Sequence, residues 1–163
     1  MNLAEDYHPN YLVTGQNIGW LQLAKRRLLL KKLLPLMQIK QSIKYLEISM
    51  DAGDKQTYEM VRLGGSWKVL LDNLNYVKEH VDAEVTLKFV LQKSNLHSLD
   101  NFVNLLEKYK FLGNVTPLED WSTMSNFAEH DILNPKNPLY ETAKAKLDSY
   151  KNHPLFLYQG GEW

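Results

Sequence analysis

The sequence predicts an α/β fold with parallel strands and outer helices, and three observations predict it. Short β-prone runs alternate with segments of helical periodicity along most of the 163 residues. Tyr45 to Met50 is such a run, and it closes in Ser49, Asp51 and a Gly53-Asp54 turn directly before a helical segment. Val85 to Leu91 repeats the arrangement one unit later, again with a helical segment after it. Strands that alternate with helices imply right-handed βαβ units and a parallel sheet. In such folds ligands sit at the carboxyl ends of the strands.

The elements follow in order. Tyr11 to Thr14 is a short candidate strand. Ile18 to Met37 reads as a helix, with Leu21 and Leu28 toward a core and Pro35 near its end. Lys44 to Met50 is the second strand. Asp54 to Leu63 and Trp67 to His80 are two helical pieces divided by Gly64-Gly65. Val85 to Leu91 is the third strand. Leu99 to Tyr109 carries Phe102, Val103, Leu105 and Leu106 at helical spacing, with Ser98 as its N-cap. Gly113 to Leu118 is a fourth strand, and Pro117 places it at a sheet edge or a strand end. Glu119 to Pro138 reads as a long loop with short helical turns, and Tyr140 to Tyr150 as a last helix. Residues 1–118 thus form the strand-bearing domain, and residues 119–163 a loop-and-helix extension packing on it.

Composition narrows the functional classes. A hydrophobic content of 44% belongs to a chain that folds. Nineteen basic and nineteen acidic residues cancel, which gives no global attraction to nucleic acid or to a membrane. No apolar run reaches the length of a membrane span and no signal peptide is visible, so a cytoplasmic location is expected. The absence of cysteine excludes disulfides. Lys25, Arg26, Arg27, Lys31 and Lys32 read as the solvated face of a helix whose long stems cover apolar neighbours. His8, His80, His97, His130 and His153 are dispersed and form no HxH or HExxH pair, so no metal site is expected. Trp20, Trp67 and Trp121 read as packing residues.

Several stretches resemble one enzyme family in the same order along the chain. Ile48-Ser49-Met50-Asp51-Ala52, Thr57-Tyr58-Glu59, Arg62-Leu63-Gly64-Gly65-Ser66-Trp67 and Leu71-Asp72-Asn73 are similar to the fifth strand and following helix of the radical S-adenosylmethionine (radical SAM) enzymes. Thr86 to Asn95 resembles the sixth strand, which often closes in Val-Val-Gln-x-x-Asn. Asp120-Trp121-Ser122-Thr123 and Asn134-Pro135-Lys136-Asn137-Pro138 resemble two later motifs of one branch. Val13-Thr14-Gly15-Gln16 resembles the end of a fourth strand. The resemblance covers only the carboxyl-terminal half of that barrel. A full eight-unit barrel takes roughly 250 residues, so the expected fold is a partial, half TIM-type barrel of parallel strands with outer helices.

What the resemblance implies about chemistry is divided. It implies that Ser49 and Arg62 contact the carboxylate end of S-adenosylmethionine, with Asp51, Thr14 and Gln92 also on the cofactor side and Asn95 beside Gln92. An arginine suits a carboxylate through paired hydrogen bonds. The family's [4Fe–4S] cluster rests on Cys-x-x-x-Cys-x-x-Cys, and this chain has no cysteine to hold one. Three readings follow. The chain is a truncated or split enzyme, inactive alone, that works with a cysteine-containing companion half or as a homo-oligomer. Alternatively, it is a non-catalytic half-barrel that binds a ligand or partner. The third reading is an ordinary α/β interaction module. Taken without the resemblance, Ser49 and Asp51 simply end a strand and cap the next helix.

Overall fold

A computed structural model describes the backbone of Val13–Thr14 and Asn17–Leu21, and residues 44–160 apart from 121, 123 and 124. The basic run at residues 25–32, the Trp121 and Thr123 positions, and most of the segment expected as the first helix lie outside the described residues. The strands are β1 (Val13–Thr14), β2 (Asn17–Leu21), β3 (Tyr45–Ser49), β4 (Glu84–Leu91), β5 (Leu112–Pro117) and β6 (Phe156–Tyr158). The helices are α1 (Lys55–Val61), α2 (Trp67–His80), α3 (Leu99–Tyr109), α4 (Phe127–His130) and α5 (Tyr140–Tyr150), with a 3₁₀ turn at Leu96–Ser98.

The strands lie side by side in the order of the chain, β1-β2-β3-β4-β5-β6. From β2 to β6 every neighbouring pair is parallel, and β1 joins β2 antiparallel. The alternation in the sequence explains the two faces of the sheet. Leu46 and Ile48 of β3 are in register with Val85 and Leu87 of β4, and Leu87 and Phe89 with Gly113 and Val115 of β5. Apart from Gly113, these residues share one buried cluster with Leu70, Leu74 and Val77 of α2, with Phe102 and Leu106 of α3, and with Leu147 of α5. In α3, Leu99, Phe102, Val103 and Leu106 fall on one stripe, and the Phe102 ring packs 4.9 Å from that of Phe89. The other set of positions across β3 to β5 is mixed, with Tyr45, Val90 and Leu112 among polar residues. Ser49, Lys88 and Asn114 form one row across those three strands, with Glu47, Thr86 and Leu112 in the row before it.

Four sequence expectations change. Asn17–Leu21 is a strand parallel to β3, not the start of a helix. A short apolar run in the sequence does not separate a strand from the start of a helix. Thr14 pairs with Asn17 at the amino end of β2, whereas Ser49 lies at the carboxyl end of β3. Thr14 is therefore at the opposite rim from the other candidate residues, because its hairpin reverses the chain. Ser98 precedes α3 without capping it by its side chain. Its hydroxyl is committed to the β3–α1 connection, as described below. Residues Phe156–Tyr158, read as part of the tail, form β6 against β5. The Pro117 expectation holds, since this residue ends β5.

Candidate functional site at the carboxyl rim

The chain leaves β3 through Met50, Asp51, Ala52 and Gly53, all buried. Asp51 adopts a left-handed backbone at φ 55°, a conformation that aspartate tolerates better than most residues. Its side chain and carbonyl hold that conformation from three directions. The carboxylate forms an ion pair with Arg62 at the end of α1, and its other oxygen accepts the Val90 N–H at 2.8 Å. The Asp51 carbonyl accepts from the Asn95 side-chain amide at 3.0 Å. Burial pushes the Asp51 carboxyl up from its ordinary range, and the Arg62 charge and the Val90 N–H oppose that rise.

Asn95 is fully buried and closes the end of β4. Its amide also donates to the Val90 carbonyl at 2.9 Å, and its oxygen accepts the Gln92 N–H at 2.9 Å. Gln92 thus enters the rim as a turn residue, through its backbone. Its carbonyl accepts the N–H groups of Asn95 and Leu96.

A second knot lies beside the first. Asp54 caps α1, accepting the Thr57 N–H at 2.9 Å and the Thr57 hydroxyl at 2.9 Å. The Ser98 hydroxyl donates to Asp54 at 2.5 Å and accepts the Gly53 N–H at 2.6 Å. His97 Nε2 lies 3.0 Å from the Thr57 hydroxyl. Partial burial acts to raise the Asp54 pKa, but the bonds from Ser98 and Thr57 outweigh it and hold the carboxyl below its ordinary value.

The candidate residues therefore separate. Asp51 and Arg62 meet each other, and Asn95 joins them. Ser49, half-buried at the end of β3, stands in register with Lys88. Gln92 lies at the same rim and Thr14 at the other. The sequence reading missed Ser98, Asp54 and Gly53 as a clamp between the β3–α1 connection and the start of α3. Only the small residues at 53 and 98 hinted at so close an approach. The Asn134-Pro135-Lys136-Asn137-Pro138 segment walls an open cavity of about 400 Å³ just past β4, together with Lys93 and Glu129. Asn137 shapes that wall by donating to the carbonyls of Ala128 and Glu129 and accepting the Leu139 N–H.

An iron–sulfur cluster does not fit these residues. The chain lacks cysteine, and the described residues hold no group of three His, Asp or Glu side chains placed to bind a metal ion. No helix among the described residues is long and apolar enough to cross a membrane. Comparison with protein-family models gives no match, and comparisons with curated proteins and with solved structures give no significant one.

Proposed function

We propose that this chain is the carboxyl-terminal half of a radical SAM-type barrel, inactive alone, that functions with a cysteine-bearing companion. The observation that carries this reading is topological. Parallel strands follow one another in chain order from β2 to β6, without the reversal of order that marks a doubly wound sheet. The helical residues that enter the core join the same buried cluster as the apolar set of β3 to β5. The other set, though it includes Tyr45, Val90 and Leu112, carries Glu47, Ser49, Thr86, Lys88 and Asn114. A segment cut from a barrel has this construction, with helices outside and the other face turned inward. Asp51, Arg62 and Asn95, which the resemblance singled out, converge at one rim. In this reading β2, rather than the Val13–Thr14 strand, supplies the strand next to β3.

Within such a half the chain's own residues would orient a cofactor rather than activate it. The Ser49 hydroxyl at the β3 terminus is the candidate contact for its carboxylate. Arg62 serves at one remove, by fixing the Asp51 backbone beside it. The test is anaerobic reconstitution with iron and sulfide followed by assay for 5′-deoxyadenosine. The chain alone is expected to yield none. Added to a polypeptide that supplies Cys-x-x-x-Cys-x-x-Cys, it is expected to restore cleavage, and Ser49→Ala to weaken cofactor binding without unfolding the chain. Cleavage by the isolated chain would overturn the reading, as would failure of every such companion to bind it.

The second reading is a non-catalytic half-barrel that binds a small ligand or a partner. The Asp51–Arg62 pair favours it, because the arginine expected to face a cofactor carboxylate is already engaged by the protein.

A further inference from the structure

The Asn134-Pro135-Lys136-Asn137-Pro138 segment belongs to the long connection between β5 and α5, broken only by the single turn of α4. Connections longer than about 15 residues without regular structure are uncommon in compact domains and usually carry function. This one returns over the carboxyl end of β4, where the Lys93 N–H donates to the His130 carbonyl at 3.1 Å. Ile132, fully buried, anchors it in the core. The open cavity of about 400 Å³ lies where the two segments meet, at the rim where parallel α/β folds hold their ligands.

The fold builds this cavity from its own bonds. Asn137 donates to the Ala128 and Glu129 carbonyls at 3.1 and 3.2 Å and accepts the Leu139 N–H at 3.0 Å, which ties opposite walls together. Ala128, Pro138 and Leu139 supply apolar lining, and Lys93, Glu129 and Lys136 supply charge. The charges decide what the cavity accepts. Lys93 Nζ lies 2.6 Å from Glu129 Oε1, so these two cancel. Lys136 is held through its backbone N–H, which donates to Asn134 Oδ1 at 3.0 Å. Its exposed ammonium has no ion pair among the described residues. One positive charge is therefore left over beside an apolar wall. Small-molecule sites span roughly 300–1,000 Å³ and are mostly apolar with a few placed polar groups, and this cavity has that size and that make-up.

We infer that this cavity binds a small carboxylic acid with an apolar body, its carboxylate on the Lys136 ammonium and its hydrocarbon against Ala128, Pro138 and Leu139. An ammonium donates charge-assisted hydrogen bonds to a carboxylate, and the leftover charge selects an anion over an alcohol or amine of the same shape. Lys93 is a second donor at the same cavity, held back by Glu129. The site does not depend on radical chemistry or on S-adenosylmethionine, so it stands or falls separately from the proposed function.

The experiment titrates the full chain with 4-phenylbutyrate and follows the backbone amides of Ala128, Asn137 and Leu139 by NMR. The controls are 4-phenyl-1-butanol, 4-phenylbutylamine and acetate, which in turn lack the charge, reverse it, and lack the apolar body. The phenylbutyrate is expected to shift all three signals saturably, and no control to do so. Lys136→Gln, at an exposed position, is expected to weaken binding about fivefold, the effect of one solvent-accessible ion pair. Glu129→Gln frees Lys93 and is expected to tighten binding. These opposite directions separate the charge assignment from damage to the loop, which would weaken binding in both variants. An equal response to the alcohol or the amine would overturn the assignment. So would unchanged affinity in Lys136→Gln, or weaker binding in Glu129→Gln.

Discussion

Arg62, at the carboxyl end of α1, holds its guanidinium against the carboxylate of Asp51, which closes β3. The two lie eleven positions apart in sequence, and the Gly64-Gly65 break after Arg62 releases the chain toward α2. Both side chains are largely shielded, at 17% and 11% exposure. Removing one partner would leave the other charge stranded, which is more costly than losing the attraction alone.

Arg62→Ala is therefore expected to destabilise the fold by about 3 kcal/mol, measured by urea unfolding. Asp51→Asn in the same chain removes the stranded charge and keeps a side chain suited to the left-handed backbone. The double variant should be more stable than the sum of the single effects indicates. Strict additivity would mean that the pair is not a coupled unit.

Asn95→Ala deletes three hydrogen bonds and leaves the carbonyls of Asp51 and Val90 and the Gln92 N–H without this partner. At about 1 kcal/mol per bond, a loss of about 3 kcal/mol is expected. Hydrogen exchange at Gln92 should accelerate well beyond that in α5. An exchange pattern that stays uniform would show that Asn95 does not pin this turn.

Gly53 and Gly113 differ in what a side chain would meet. A Cβ on Gly53 would lie 2.1 Å from the Phe102 nitrogen and 2.5 Å from the Ser98 carbonyl oxygen, which are backbone atoms at the start of α3. A Cβ on Gly113 would meet the end of the Leu106 side chain at 2.3 Å, and a side chain can rotate away. Gly53→Ala is expected to abolish cooperative folding, and Gly113→Ala to cost about 1–3 kcal/mol by overpacking. Circular dichroism melts of the two variants compare them directly, and similar melting temperatures would refute the contrast.

Local pattern made much of this architecture readable. α2 and α3 carry apolar stripes bounded by clear start and stop residues, and β3 and β4 alternate over enough residues to be unambiguous. Asn17–Leu21 and Phe156–Tyr158 were not readable in the same way, because short strands take their identity from the partner strand. The rim was half legible. Asp51 and Arg62 stood out as charged residues at element ends, yet their mutual pairing depends on how α1 returns to the sheet. The Ser98–Gly53 contact joins residues 45 positions apart, and no local signal encodes such a contact.

Asp54 makes stability depend on acid. Its carboxyl titrates below the ordinary value in the folded chain, so between the two values the unfolded chain binds more protons. Its stabilising contribution is present above the unfolded aspartate value of about 4 and is lost as pH falls through the lower folded value. Asp54→Asn should flatten the acid limb of a stability–pH curve while leaving a side chain able to cap α1. A limb of unchanged steepness would assign the acid sensitivity to other carboxylates.

Tyr150 supplies the alkaline counterpart. Its hydroxyl donates to Asp100 at 2.8 Å, and Lys146 holds the other Asp100 oxygen at 2.7 Å. Burial first, then the Asp100 bond and charge, push the Tyr150 phenol up to about 12. Because the folded value lies above the unfolded value of about 10, this contribution to stability is complete below that pH and is lost as pH rises toward the folded value. Among the nine tyrosines, selective labelling of Tyr150 should report a late ionisation by NMR. Asp100→Asn removes the charge but keeps an acceptor, and is expected to move that ionisation back toward the ordinary value. A Tyr150 that titrates with exposed tyrosines in the unaltered chain would show that the α3–α5 contact through Asp100 does not hold in solution.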